Sequence, residues 1–465
     1  MTIAYLSMFV LSGLLSIVFT RGVRNFARSR GWLVAAVSDH HVHTEPVPRL
    51  GGVAIFSSFL IVTAVVFAGA SMLRPDLRLQ VRTVLYVLGP GAIVFLLGLY
   101  DDFRPVKPAV KFAVQAIAAT ILFYGGFGVF SLPLLFGAQH STWIGLPLTI
   151  LWVLWITNAF NLVDGVDGLA AGSALFSTLA VFIVSLASGS PVVSLLAVGL
   201  AGAVLGFLRF NFNPATIFLG DCGSLFIGFI LCALGAVGAG KAQTILAVAI
   251  PVVSFGLPVL ETALSVVRRW LSGQPLFGAD TQHIHHKLLE RGLSQRQVVI
   301  TLYGVSAAFA MLSLFLLYPG GTTVGMVFFV IGAIVWVGIQ HLGYHEFFEL
   351  GRVATRTLEQ RRVIVNNLAV RRGTAALTKV QSIDQLRRVM QDAFESSDFD
   401  GFKLILHSQE RRQRGNIDGV SQDDSSYRPT ESSRRFDFEP LIEWRKANDS
   451  SSKPERVSGN GNGNR

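Results

Sequence analysis

The stretch Val192-Val-Ser-Leu-Leu-Ala-Val-Gly-Leu-Ala-Gly-Ala-Val-Leu-Gly-Phe-Leu208 carries no charged side chain and decides the fold class. A helix that crosses a bilayer needs roughly 20 predominantly apolar residues, and with its flanks this segment meets that length. Similar runs lie on both sides: Ile3–Thr20, Val53–Ala70, Val84–Leu99, Phe112–Phe127, Pro147–Ile156, Leu169–Ala187, Leu225–Ala239, Ile245–Val267, Val298–Leu317 and Val324–Leu342. The pattern predicts about eleven spans, the fifth short by the length rule unless it begins earlier. The expected fold is therefore an all-α polytopic membrane protein.

Composition agrees. Of 465 residues, 51% are hydrophobic and only 15% charged, against about a quarter charged in soluble domains, and the mean hydropathy is +0.52. The net charge of +10 fits membrane headgroups and cytoplasmic loops better than nucleic acid. Two cysteines, Cys222 and Cys232, both in apolar surroundings, make no disulfide framework. The N-terminal run has no charged start and no small-residue cleavage site, so it reads as a first span, not a signal peptide. No internal repeat supports an inverted-repeat transporter.

Basic residues set the orientation. Arg21, Arg24, Arg28, Arg30 and Arg49 share the first loop, Arg104, Lys107 and Lys111 follow the third span, and Arg268, Arg269, Lys287, Arg291 and Arg296 follow the ninth. Alternating spans place these loops on one side, which the positive-inside rule makes cytoplasmic. Arg74, Arg78 and Arg82 are a mild exception on the other side. The N-terminus is then outside and the C-terminus inside. The expected organisation is a transmembrane domain over 1–342, a small cytoplasmic appendage over 343–408 and a polar, disordered tail over 409–465. The appendage should hold a helix near Ser382–Phe394 and a strand near Phe402–Leu406, and the Gly-Asn end has no means to form a core.

Four polar clusters fall on the predicted cytoplasmic side. Asp101-Asp102 ends the third span; neighbouring helical residues point about 100° apart, so the two carboxylates need not share a role. Asn158-Ala-Phe-Asn161-Leu-Val-Asp164-Gly-Val-Asp167-Gly repeats polar residues every three positions. Its glycines let the chain leave the helix and turn both acids toward a common site, though Asp-Gly also marks ordinary turns. Asn211-Phe-Asn213-Pro214-Ala-Thr-Ile-Phe218-Leu-Gly220-Asp221-Cys222-Gly223-Ser224 puts an acid between glycines at a helix start. That suits Mg²⁺ with a phosphate on free backbone N–H groups, and equally a capped helix start with Asp221 or Ser224 as the cap. His283-Ile-His285-His286-Lys287, with Arg291 beyond, reads better as a cationic pyrophosphate pocket than as zinc ligands; a solvated basic loop is the plain alternative.

Together these runs, in order and spacing from about Arg21 to Leu342, resemble the polyprenyl-phosphate N-acetylhexosamine-1-phosphate transferase family, glycosyltransferase family 4. His43 with Pro46-Val-Pro-Arg49-Leu-Gly51-Gly52 resembles that family's first cytoplasmic loop, and His-Ile-His-His its branch using UDP-GlcNAc or related UDP-amino sugars. Cys222 departs from the threonine common there. The resemblance implies an enzyme of the bacterial inner membrane that takes a UDP-amino sugar and undecaprenyl phosphate, uses Mg²⁺ (or Mn²⁺), releases UMP and starts a cell-surface polysaccharide. It assigns Asp221 to the metal, and Asp101 or Asp102 to the acceptor phosphate or the metal. Asp164 and Asp167 go to donor support, with Asp167 and Phe218 near the uracil, and His283, His285 and His286 to donor phosphates or sugar. Asn158, Asn161 and Arg291 complete the substrate contacts. Direct in-line attack is favoured over an aspartyl intermediate. The oligomeric state, a homodimer included, is left open, and the rival from another class is a transporter or lipid flippase with acidic pathway residues.

Overall fold

The computed structural model describes residues 1–33, 46–73, 80–128, 141–239, 245–271, 283–318, 320–342, 373–378, 380–395, 401–404 and 442–445. His43, Arg74 and Arg78 lie outside the described residues. Two compact units divide the chain, Met1–Phe347 and Phe348–Arg465.

The first unit is a helical bundle: α1 Thr2–Ser29, α2 Gly51–Leu73, α3 Val81–Phe103, α4 Pro108–Tyr124, α5 Ser141–Leu162, α6 Leu169–Ala187, α7 Pro191–Asn211, α8 Asp221–Ala239, α9 Ile245–Ser254, α10 Gly256–Leu271, α11 Ile284–Glu290, α12 Gln295–Phe315 and α13 Gly321–Leu342. Among the described residues nine helices are long and apolar enough to cross a membrane. The chain is a multi-pass membrane protein of the all-α class. Helices α7 and α8 are its buried centre, while α1 and α13 lie at the periphery.

Small residues let helices approach closely, as they must where lipid supplies no hydrophobic drive between helices. A Cβ on Gly206 would lie 2.3 Å from the Gly13 carbonyl oxygen, and one on Gly202 2.2 Å from that of Phe9. Ser16 Oγ donates to the Ala203 carbonyl at 2.6 Å, closing the α1–α7 crossing. Phe56 of α2 stacks on Phe95 of α3 with centroids 4.0 Å apart, and Phe226 of α8 meets both edge-on.

Three spans differ from expectation: the fourth is the 17-residue helix α4, Pro108–Tyr124, and is not among the nine. The fifth is a full helix from Ser141 to Leu162. Its polar end stays helical because Asn158 and Asn161 find amide and hydroxyl partners inside the bundle. The ninth is not one straight helix: α9 and α10 meet at an 83° bend. Gly256 allows it, since a Cβ there would lie 2.2 Å from the Phe309 ring of α12. The physical reason lies in α10, which carries Glu261, Ser265 and Arg268 on its buried side and Val266, Val267 and Trp270 exposed. Such a polar face must be satisfied by protein, so the helix turns away from the course of a simple span.

The second unit contains α14, Ile383–Glu395, and strands β1, Gly401–Leu404, and β2, Ile442–Arg445, paired antiparallel with Phe402 opposite Trp444. Strand β2 falls inside the stretch expected to be disordered.

Candidate active site

The first three clusters meet at one end of the bundle. Asp101 and Asp102 occupy the last turn of α3, Asp221 the first position of α8, and Asp164 and Asp167 the link between α5 and α6. The adjacent aspartates part company. Asp102 turns inward and accepts the backbone N–H of Asp221 at 2.8 Å and of Cys222 at 3.0 Å, capping α8 from another helix. Asp101 accepts Val106 N–H at 2.6 Å on one oxygen and the Lys111 ammonium at 2.6 Å on the other. Lys111 Nζ also lies 2.7 Å from Asp221 Oδ2, so one ammonium bridges two carboxylates from α3 and α8.

This corrects the reading of the α8 start. Its remaining early amides, Gly223 and Ser224, both donate to the Gly220 carbonyl at 3.0 Å. With Asp102 on the other two, no amide of this first turn is left over for a phosphate. Neither Asp221 nor Ser224 is the cap. The turn is held by close backbone approach: Gly220 has φ +76, and a Cβ on it would lie 2.5 Å from the Arg49 carbonyl oxygen and 2.8 Å from Asp102. Cβ atoms on Gly98 or Gly52 would strike the same turn at 2.5 Å and 2.2 Å. The first loop docks alongside, Phe218 N–H donating to Pro48 at 2.8 Å and Gly51 N–H to Phe218 at 2.9 Å. Cys222, buried and reduced, directs its sulfur toward the Leu219 carbonyl, so its departure from threonine leaves the Asp221 carboxylate untouched.

Asn161 Nδ2 donates to Ser224 Oγ at 2.9 Å, tying the second cluster to the third. Asn158 donates to Gln115 at 2.7 Å and to the Leu154 carbonyl at 2.7 Å, which makes it a tie between α5 and α4. Asp167 is buried and accepts from Ala215 N–H at 3.0 Å and Asn213 Nδ2 at 3.2 Å. Asp164, half-buried, is held well above the usual carboxylate range by enclosure in protein and by Asp221, with Asp102 and Asp167 adding to it and Arg49 opposing. Tyr303 of α12 fixes this link by donating to the Gly168 carbonyl at 2.7 Å, where Gly168 takes φ +78.

The histidine cluster reaches the same link from α11. A Cβ on Gly165 would lie 3.3 Å from His285 Nε2. The His285 and His286 rings are 4.3 Å apart and those of His283 and His285 are 5.4 Å apart, nearly parallel. His285 is buried, and burial with its two histidine neighbours pushes its pKa down to about 3. That direction favours the neutral ring and weighs against His285 as one of the positive charges of a pyrophosphate pocket. Arg291 is exposed at the far end of α11.

Similarity to known proteins matches this geometry. The family model for glycosyl transferase family 4 covers residues 84–239, the run from α3 to α8. A probable undecaprenyl-phosphate N-acetylglucosaminyl 1-phosphate transferase of Bacillus subtilis is 34% identical over 305 residues, 65% of this chain and 82% of the relative. The chain belongs to glycosyl transferase family 4. A decaprenyl-phosphate N-acetylglucosaminephosphotransferase of Mycobacterium tuberculosis is 35% identical over 356 residues, 70% of this chain and 85% of that protein. A phospho-N-acetylmuramoyl-pentapeptide-transferase of Halalkalibacterium halodurans is 31% identical over 289 residues, 59% and 85% of the two chains.

In this family 4 chain, Lys111 and Glu261 are site residues outside the motifs, and Arg49, quoted within the first-loop motif, had been given no role of its own. Lys111 counted only toward charge asymmetry, although a lysine at the edge of the next apolar run, nine residues past an acidic pair, was a usable signal. Among the described residues no group of three His, Cys, Asp or Glu side chains converges to hold a metal alone. The oxygen donors Asp101 and Asp221, already sharing a cation in Lys111, nonetheless fit Mg²⁺, which takes one or two carboxylates and completes its shell with water and phosphate.

Proposed function

We propose that this chain transfers N-acetylhexosamine 1-phosphate, GlcNAc 1-phosphate in first place, from its UDP derivative to undecaprenyl phosphate at the cytoplasmic face of a bacterial inner membrane. An oxygen of the lipid phosphate attacks the sugar-bearing phosphorus of the donor. The bond to the bridging oxygen breaks, UMP leaves, and a lipid-linked pyrophosphoryl sugar remains. The observation that carries the reading is the Asp101–Lys111–Asp221 cluster at one end of a membrane bundle, where a water-soluble donor and a lipid-anchored phosphate can meet. The names of the bacterial relatives support the same chemistry.

Asp101 and Asp221 would hold Mg²⁺ or Mn²⁺, which when bound supplies positive charge to the donor pyrophosphate and the departing UMP. Lys111 and Arg49 add fixed positive charge against the repulsion of two anions. His285 orients the donor by hydrogen bonding, with His286 beside it. Asp102 and Asp167 act through the backbone they hold, and Phe218 offers a half-buried ring for the uracil. Carboxylates gathered at one end of the bundle weigh against a transporter path through its middle.

The test is release of radiolabelled UMP from UDP-GlcNAc and other UDP-amino sugars, with and without undecaprenyl phosphate. Release that requires the lipid supports the reading; lipid-independent or absent release across the series overturns it. Reporters fused after Leu342 and before Ile3 should read cytoplasmic and external, and the reverse result overturns the placement.

A further inference from the structure

Glu261 sits in mid α10, a helix of the bent pair, and is 4% exposed. A carboxylate there is expensive to bury unless its charge is met by donors. Its Oε1 accepts the Ile284 backbone N–H at 2.8 Å and lies 3.0 Å from His283 Nδ1. His283 opens α11 and has no side-chain cap of its own, so Glu261 supplies from another helix the acceptor that the first turn lacks. Leu257 and Leu264 of α10 share an apolar cluster with Ile284 and Leu288 of α11. Apolar packing of that kind tolerates sliding, whereas a carboxylate that accepts a directed backbone N–H, with an imidazole close beside it, sets one register.

From this anchor a line of contacts runs to the acidic link. Glu261 holds His283, the His283 ring lies parallel to His285, and His285 faces Gly165, next to Asp164. We propose that Glu261 is a positioning residue for the donor: it fixes the start of α11, and so the placing of His285 and His286 against the Asp164–Gly168 link. The inference rests on the transferase reading for what is positioned, but the anchoring itself can be measured apart from any activity.

The experiment compares wild type, Glu261→Gln and Glu261→Ala, reading hydrogen exchange over α11 and the kinetic constants for each substrate. Removing the Ile284 hydrogen bond and the His283 contact in Glu261→Ala should speed exchange over Ile284–Glu290 by about tenfold or more while α12 keeps its protection. The KM for the UDP sugar should rise about tenfold, the KM for the lipid phosphate should hold, and kcat should change far less. Glu261→Gln, whose amide oxygen still accepts from Ile284, should recover most of the exchange protection and part of the donor KM. Unchanged exchange in both variants overturns the anchoring. A loss confined to kcat, or shared equally by both substrates, overturns the donor role. If Glu261→Ala does not fold, Glu261→Gln alone decides, since a wild-type donor KM in it would show that the Glu261 charge beside His283 positions nothing. If wild type releases no UMP, the transferase reading fails, while the exchange result still judges the anchor.

Discussion

Asp221 at the head of α8 and Glu261 in mid α10 are both acids in a membrane bundle, and they are used in opposite ways. Asp221 is partly exposed and its described partner is a side-chain ammonium, Lys111. Glu261 is buried and spends its oxygen on a backbone amide and an imidazole. Asp101 falls with Asp221 through Lys111, and Asp102 and Asp167 fall with Glu261, since each accepts backbone N–H groups. A carboxylate whose partner is a side-chain ammonium, and no backbone amide of another helix, is available for chemistry. One that terminates another element's hydrogen bonds is framework, and removing it leaves buried donors unmet.

The largest effect should come from breaking the first kind. Asp221→Asn keeps the shape, and Asp102 still caps α8, so the protein should insert and melt as wild type does. The anionic contact to the donor's counter-charge is lost. If it contributes about 3–4 kcal/mol in the transition state, UMP release should fall roughly a hundred- to a thousandfold, and added Mg²⁺ should no longer stimulate it. Near wild-type turnover in the purified variant would move Asp221 into the framework class.

Asp102→Ala tests the second kind. It strips the acceptors from two amides at the centre of the bundle, so the loss should be of stability, about 2–4 kcal/mol, visible as a lower melting temperature in detergent. Asp102→Asn, which keeps one carbonyl acceptor, should fall between. A variant that melts normally yet is inactive would show that Asp102 touches substrate after all.

How far this was legible in sequence follows the same division. Membrane helices and the Asp101, Asp164 and Asp221 clusters could be read because apolar length and Asp-Gly spacing are local signals. That Asp101 and Asp102 need not share a role also followed from helical geometry, which points neighbours about 100° apart. The partners could not be read: that Asp102 serves α8 and Lys111 joins α3 to α8 depends on helices packed from distant parts of the chain. The bend after Ser254 was hidden by averaging hydropathy over Ile245–Val267. Glu261, a lone acid inside that window, was the overlooked sign, since an ionisable residue within a span calls for a named partner.

A smaller effect should appear with pH. His285 titrates near 3 in the folded protein, below the ordinary value of about 6.5. Between those values the unfolded chain takes up a proton that the folded one refuses. Its contribution is therefore complete above about pH 6.5 and is lost as pH falls toward 3, at up to about 1.4 kcal/mol per unit. His285→Gln should flatten the decline in melting temperature between about pH 6.5 and 4.5 relative to wild type. Parallel curves would mean that the ring is hydrated and can carry charge toward a phosphate.

The smallest effect should follow removal of Phe348–Arg465. Every residue placed in the site, in either class, lies between Arg49 and Tyr303, inside the first unit. A cut at Gln409 would be a poorer experiment, because it removes β2 and leaves β1 with an unpaired edge, open to association. Cutting between the units avoids that edge. Membranes holding the shortened chain should release UMP within about twofold of wild type per molecule inserted, the range expected of changes remote from a site. A truncated chain that inserts normally, keeps its melting temperature and yet turns over a tenth as fast would show that the second unit contributes to the reaction. The division into available and framework carboxylates would then be incomplete, because a group outside the bundle would have to be added to the first class.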